Sequence, residues 1–393
     1  RATAASPLRG LGPVAPSGWL GRLMTESSRE AKGTPPRTLP RRGRGRRGEH
    51  TGRRMAGGVG GEGPVESVRL GGRGPLVSRF CFGMLPLGPL QANLPRAEAV
   101  RLLEGALEAG VSFFDTAELY GTYPLVRDVL RPPAVVATKA YAYTYEGMRE
   151  SLKRALAETG RERIDIFLLH EQESRLTLAG HAEALRCLVE AREAGVVGAV
   201  GVSTHAPEVV DRAAEMEDID VIHPLVNYRG LGLLGGTLEQ MLAAIEKASR
   251  AGKGVYAMKV LGGGHLAVGG AGPAAGTPLE SLAGTPEEAF AFIRGVKGVH
   301  AVAVGVKTRE ELLYDLALLA GEKPPEDLAA AVRGRRRALL IEEHCEGCGK
   351  CVERCRYGAL SLGAEPRVIV DQAKCVLCGY CAAACRDFCI KVV

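Results

Sequence analysis

The feature that most limits what this chain can fold into lies near its end. Cys345-x-x-Cys348-x-x-Cys351-x-x-x-Cys355 recurs thirty residues later as Cys375-x-x-Cys378-x-x-Cys381-x-x-x-Cys385, with identical spacing. Nine of the eleven cysteines fall within the last 49 residues. A zinc site commonly takes two separated pairs of ligands, whereas a tight triad with a distant fourth thiolate suits the corners of a cubane iron–sulfur cluster. Metal ligation in a reducing compartment is therefore expected in preference to a disulfide framework. Cys81 and Cys187 sit in apolar surroundings upstream, and Cys389 lies outside both runs and reads as a buried thiol.

The rest of the chain has ordinary globular composition. With 393 residues, 46% hydrophobic and 24% charged, it can bury one large core and a smaller one beside it. No stretch approaches the roughly 18 consecutive apolar residues of a membrane-spanning helix. The net charge of +6 is unevenly held, because residues 1–64 carry 13 Lys and Arg against 4 Asp and Glu, leaving 38 against 41 elsewhere. Nothing after residue 64 forms a dense basic stripe interleaved with aromatics, so neither a nucleic acid nor a membrane is an expected partner.

Residues 1–64 are rich in Gly, Pro, Ser and Arg without hydrophobic periodicity, and disorder is expected there. The run Arg41-Arg42-Gly43-Arg44 resembles a twin-arginine signal, but no apolar region follows it, so a cytoplasmic location is expected. The chain starts with Arg1, with Met24 and Met55 downstream, so this extension reads as a mis-assigned upstream start.

From about Val65 the pattern becomes regular. Two short runs around Gly71-Gly72-Arg73-Gly74-Pro75 predict a β-hairpin over Ser67 to Phe80. Strand-like and helix-like stretches then alternate eight times. The first helix is predicted from Pro95, with Val100, Leu103 and Leu107 on one face and Gly110 as its stop, and a single helix is predicted over Ala179 to Ala194. Apolar strands such as Ile164 to Leu169 do not alternate strictly, as expected of strands buried on both faces. Eight βα units over about 250 residues predict an α/β TIM (β/α)8 barrel over residues 65–330, with a small α+β iron–sulfur domain at 340–393. A doubly wound sheet is the rival, but G-x-G-x-x-G is absent after the first strand.

In such a barrel the chemistry sits at the C-terminal ends of the strands. There the sequence offers Asp115 and Tyr120, then Lys139, then His170. A lysine ammonium near a tyrosine lowers the phenol pKa, a carboxylate holds the ammonium, and a histidine hydrogen-bonds a carbonyl oxygen. Such a group can protonate a carbonyl that receives hydride.

The strings Phe114-Asp115-Thr116-Ala117-Glu118-Leu119-Tyr120-Gly121, Ala137-Thr138-Lys139 and Asp165-Ile166-Phe167-Leu168-Leu169-His170 resemble the motifs of the aldo-keto reductase family, in order and spacing. The resemblance covers roughly Val65 to Gly321. It implies NADP(H)-dependent carbonyl reduction or alcohol oxidation, with Tyr120 as general acid/base, Lys139 and Asp115 tuning it, and His170 positioning the carbonyl. It also implies that Gly83, Met84, Ser203 and Asn227 lie near the nicotinamide and that Leu261, Gly262 and Gly263 lie near the pyrophosphate. Gly305, Lys307, Thr308 and Arg309 stand before a helix, where two cations suit a 2'-phosphate and favour NADP(H), with NAD(H) as the alternative. Thr308 with Glu311 is also a T-x-x-E capping box, a structural explanation for part of that motif.

The C-terminal runs resemble the bacterial two-cluster ferredoxin. That resemblance implies two 4Fe-4S clusters, one on Cys345, Cys348, Cys351 and Cys385, the other on Cys375, Cys378, Cys381 and Cys355. The proline that usually follows each fourth cysteine is replaced by Arg356 and Arg386, whose positive charge should raise the potentials. Hydride carries two electrons and a cluster one, so the clusters are expected to serve a flavoprotein, another redox partner or the architecture. Two functional readings stand: an oxidoreductase with an appended electron-transfer module, and an electron-transfer or redox-sensing protein whose barrel binds a nucleotide or metabolite without turnover.

Overall fold

The computed structural model describes residues 65–267, 284–332, 338–355, 357–372, 374–375, 380–387 and 389–392. The expectations for residues 1–64, Arg356 and Cys378 lie outside the described residues.

Strands β1 (Ser67–Arg69) and β2 (Leu76–Ser78) pair antiparallel, Ser67 opposite Ser78, as the hairpin signal predicts. Eight parallel strands follow: β3 (Phe80–Gly83), β4 (Phe113–Asp115), β5 (Val135–Ala140), β6 (Ile164–Gln172), β7 (Val197–Thr204), β8 (Val221–Pro224), β9 (Gly254–Ala257) and β10 (Ala301–Val304). They close in sequence order, with β10 pairing β3, so no strand edge is left open.

The hairpin plugs one end of this barrel. Its Leu70 and Val77 join the same buried cluster as Cys81, Phe113, Ile166, Leu168 and Val221. The fit is close: a Cβ on Gly71 would lie 2.3 Å from the Gly254 nitrogen, and Gly71 also has φ +70°, so only glycine serves there. The opposite end holds the polar strand ends.

Helices between the strands cover the outer faces. The helix Tyr145–Thr159 starts at Thr144, whose side chain accepts the Gly147 N–H, and stops at Gly160 with φ +65°. It buries Met148, Leu152, Ala155 and Leu156, as its spacing predicts. Two predictions fail. The helix Arg96–Glu108 buries Ala99, Leu102, Leu103 and Ala106 while Leu107 is exposed, because the buried stripe runs through 99, 102, 103 and 106 and leaves Val100 and Leu107 on its flank. The helix over Ala179 to Ala194 is two helices, Arg175–Gly180 and Ala182–Glu193, broken at His181, and a Ser174/Thr177 capping box starts the first.

The C-terminal segment repeats one unit twice. Strand β11 (Leu339–Ile341), the helix Lys350–Arg354 and β12 (Leu360–Leu362) are followed by β13 (Val368–Val370), the helix Tyr380–Ala384 and β14 (Ile390–Val392). Pairing is crossed, β11 with β14 and β12 with β13, so the two halves interlock. Their shared core contains Leu339, Cys351, Leu360, Cys375, Cys381 and Ile390.

Candidate active site

Inward-facing positions recur every second residue along a strand. Phe113, Ala137, Leu168 and Val221 belong to the barrel's inner core. Two residues further along the same strands stand Asp115, Lys139, His170 and His223, all buried. The polar group is thus the next layer of the barrel's interior, at its C-terminal face.

The Lys139 Nζ donates to Asp115 Oδ2 at 2.6 Å and to the Thr116 carbonyl at 2.8 Å. The other Asp115 oxygen accepts the Tyr256 hydroxyl at 2.9 Å. Burial works against the ammonium, but Asp115 and Tyr120 hold the Lys139 pKa above the ordinary lysine value. Lys139 Nζ also lies 4.8 Å from the Tyr120 ring centroid. The Tyr120 pKa differs in sign from the sequence-based expectation: burial pushes the phenol up, and the opposing pull of Lys139 does not overcome it. Tyr120 therefore keeps its proton through the neutral range.

His170 completes the four. Its ring meets Tyr120 edge-on at 5.9 Å and stacks on Tyr141 at 4.1 Å between centroids. Burial, then Lys139, His223 and His205, hold its pKa well below the usual imidazole range. Its buried Nδ1 has no hydrogen-bond partner. Tyr120, Lys139, Tyr141 and His170 line a half-open pocket together with Leu85, Gln91 and Met258.

The remaining predicted positions divide. Ser203 lines this pocket, and its Oγ accepts the Glu171 N–H at 2.8 Å. Gly83 faces the Val304–Gly305 backbone, where a Cβ would come within 3.3 Å, and the buried Met84 donates its N–H to the Asp115 carbonyl. Asn227 accepts the N–H groups of Arg229 and Leu231 and donates to the Leu231 carbonyl, so its amide shapes its own loop. Gly262 and Gly263 have φ +58° and +76°, and Gly262 and Leu261 form a turn with Lys259 and Gly264. At the last strand end Thr308 accepts the Glu311 N–H, while the Glu311 carboxylate accepts the Lys307 N–H ahead of the helix Arg309–Ala320. The capping role thus accounts for Thr308 and Glu311.

Tyr256, His223, Tyr141 and Glu171 were missed by the strand-end reading. His223 Nδ1 lies 2.6 Å from the Tyr256 carbonyl, its ring stacks on Tyr256, and its Nε2 is 3.8 Å from Asp115. Burial lowers the His223 pKa to about 4. Inward parity from Val221 would have found it.

In the C-terminal segment, Cys351, Cys375 and Cys381 are buried, with Cys345, Cys355 and Cys385 packed against them and Cys348 exposed. Burial raises the Cys351 pKa, and so do Cys385, Cys345 and Cys348 nearby. The backbone N–H of Ala359 points at Cys355 Sγ and that of Cys389 at Cys385 Sγ, the same offset in both halves.

A sequence model of the Aldo/keto reductase family matches residues 79–328, and one for a 4Fe-4S binding domain matches residues 338–361. The D-threo-aldose 1-dehydrogenase of a Pseudomonas species is 27% identical over 223 residues, covering 47% of this chain and 66% of that protein. Pyridoxal 4-dehydrogenase of Microbacterium luteolum is 26% identical over 206 residues, covering 39% of this chain and 60% of that protein. The chain thus spans less than two thirds of these relatives' lengths. A solved aldo-keto reductase of Bacillus halodurans superimposes with a TM-score of 0.52 at 18% identity, over 68% of this chain and 95% of that one, a likeness of fold. Among the described residues no helix is long and apolar enough to cross a membrane.

Proposed function

The chain belongs to the aldo/keto reductase family, and on that premise we propose that it is an oxidoreductase moving hydride between NADP(H) and a small carbonyl or alcohol. One observation carries the proposal: a buried Lys139–Asp115 ion pair beside a protonated Tyr120, facing a pocket that His170 also lines. The residues present suit a nicotinamide nucleotide, because the pocket reaches Ser203 and Met258 beside Tyr120, Lys139 and His170. When bound, the reduced nicotinamide supplies the hydride. Tyr120 delivers the proton to the carbonyl oxygen, so hydride on carbon and proton on oxygen make the alcohol. Lys139 stabilises the phenolate left behind, and Asp115, fixed by Tyr256, keeps the ammonium in place. His170, held neutral, hydrogen-bonds the carbonyl oxygen and orients it. Lys307 and Arg309 favour the 2'-phosphate of NADP(H) over NAD(H), although Glu311 takes part of that helix end. The two dehydrogenases named above are described by an aldose and by pyridoxal, which supports a small polar substrate.

The 4Fe-4S match covers the first cysteine run, and the second has the same spacing. We infer two clusters, on Cys345, Cys348, Cys351 and Cys385 and on Cys375, Cys378, Cys381 and Cys355. The crossed pairing of β11 with β14 and the closeness of Cys385 to Cys351 support the exchange of the fourth ligand. Thiolate clusters suit a reducing cytoplasm. The module then passes single electrons to or from a separate redox protein such as a flavoprotein.

Tyr120→Phe tests the catalytic reading. NADPH oxidation by small aldehydes should fall by about 10²- to 10⁴-fold, the usual worth of a positioned acid, with NADPH affinity retained. Undiminished turnover would remove Tyr120 from its role, whereas wild-type protein that binds the nucleotide without turnover would favour the redox-sensing reading.

A further inference from the structure

The cysteine module is fastened to the barrel at the rim of the pocket, on both sides of it. Lys391, on β14, donates to the Pro89 carbonyl, in the loop after β3 that supplies the pocket residues Leu85, Leu90 and Gln91. Arg354, at the end of the helix Lys350–Arg354, donates to Glu173 at 2.8 Å and lies 3.7 Å from Glu171, which lines the pocket next to His170. The module is therefore tied to the loop after β3 and to the end of β6, the strands on either side of β4 and β5 in the barrel order.

The Glu171 end of this contact is tightly built. Glu171 follows His170 directly and has φ +51°, a left-handed conformation that a side chain of this kind rarely takes. The ladder between β6 and β7 is irregular at this point. The conformation is held by the Ser203 hydroxyl on the Glu171 N–H and by Tyr141, whose hydroxyl donates to the Glu171 carboxylate. Tyr141 in turn stacks on His170. A continuous series of contacts thus runs from Arg354 through Glu171 and Tyr141 to His170. At its other end, Arg354 precedes Cys355, a ligand in the crossed assignment above.

We propose that Arg354, contributed by the module, is a positioning residue for the barrel's pocket and makes nucleotide occupancy and the redox state of the adjacent cluster depend on each other. The inference rests on the functional reading above. One electron taken up from an external donor by a cluster held on Cys355 would add one negative charge next along the chain from Arg354, and that charge would compete with Glu171 and Glu173 for the guanidinium. Glu171 then stands less compensated beside the pocket, which disfavours an anionic dinucleotide. No electron has to pass between pocket and cluster. Because coupling between two binding equilibria is reciprocal, the dinucleotide must lower the cluster's midpoint potential by the same factor by which reduction weakens its binding.

The test uses full-length, cluster-loaded protein and NADP+. Binding is measured first by calorimetry on the oxidised protein, and the midpoints of both clusters are then found by dithionite titration under EPR, with and without saturating NADP+. A fivefold to tenfold coupling appears as about 40 to 60 mV, since a tenfold change in a one-electron equilibrium is 59 mV. One midpoint should fall by this amount in the wild type. The shift should collapse in Arg354→Gln and in Glu171→Gln, and persist in part in Arg354→Lys. A purely structural bridge would leave the NADP+-dependent shift unchanged. NADP+ binding with no shift, or an undiminished shift in Arg354→Gln and Glu171→Gln, overturns the inference and leaves the functional reading standing. Failure of NADP+ to bind the wild type overturns both.

Discussion

The barrel's pocket and the cysteine module both bury ionisable groups, but the partners are opposite in kind. In the barrel, Lys139 faces Asp115, Asp115 also holds Tyr256, and His170 and His223 are kept neutral by burial, so positive and negative groups are satisfied from within the chain. In the module, the neighbours that push the Cys351 pKa up are, after burial itself, three more cysteines, Cys385, Cys345 and Cys348. With its pKa raised, Cys351 holds its proton and becomes a thiolate ligand only against a cation, which the 4Fe-4S binding-domain match identifies as iron. The barrel's buried ion pair is made within the chain.

The largest effect that would test this contrast is removal of the iron. Chelation under reducing conditions should unfold the module while the barrel keeps its near-UV circular dichroism, and amide exchange should rise only after about residue 338. Equal loss of protection in both regions would break the contrast. Next in size is Lys139→Met, which strips Asp115 of its buried partner. It should cost about 3–5 kcal/mol in urea unfolding of the barrel, the usual penalty for one half of a buried pair. A cost under about 1 kcal/mol would mean that the pair is open to water.

The smallest effect comes from acid. His223 has a folded pKa of about 4, below its unfolded value, so the unfolded chain takes up a proton first as pH falls. The stability that burial of neutral His223 permits is whole above about pH 6.5 and is lost progressively down to about pH 4. Between pH 7 and pH 5 this one group should account for about 2 kcal/mol of the loss. His223→Gln should flatten the slope across that window. An unchanged slope would assign the acid sensitivity elsewhere, with His170, shifted in the same direction, as the next group to replace.

Much of the barrel was readable from the chain because its chemistry follows strand parity. Phe113 with Asp115, Ala137 with Lys139 and Leu168 with His170 each put an apolar residue in the core and a polar one in the layer above. The cysteine runs were readable because their spacing is local. What escaped was tertiary. Leu107 looked like a core residue at helical spacing, yet the buried stripe of its helix runs through Ala99, Leu102, Leu103 and Ala106. Tyr256 reaches Asp115 across 141 residues of sequence, and Arg354 reaches Glu173 across 181, distances over which no periodicity carries information. The Tyr120 pKa was misjudged for a similar reason: the ammonium was visible in the sequence and the depth of burial was not.

The central claim, hydride chemistry by the barrel with the clusters as separate one-electron carriers, meets its most direct test in an anaerobic titration of cluster-loaded protein with NADPH and a panel of small aldehydes. Nicotinamide absorbance and the cluster EPR signal are followed together. The account predicts that NADPH is consumed in step with aldehyde while the oxidised clusters stay EPR-silent. Reduction of the clusters by NADPH, with no aldehyde consumed, would contradict it.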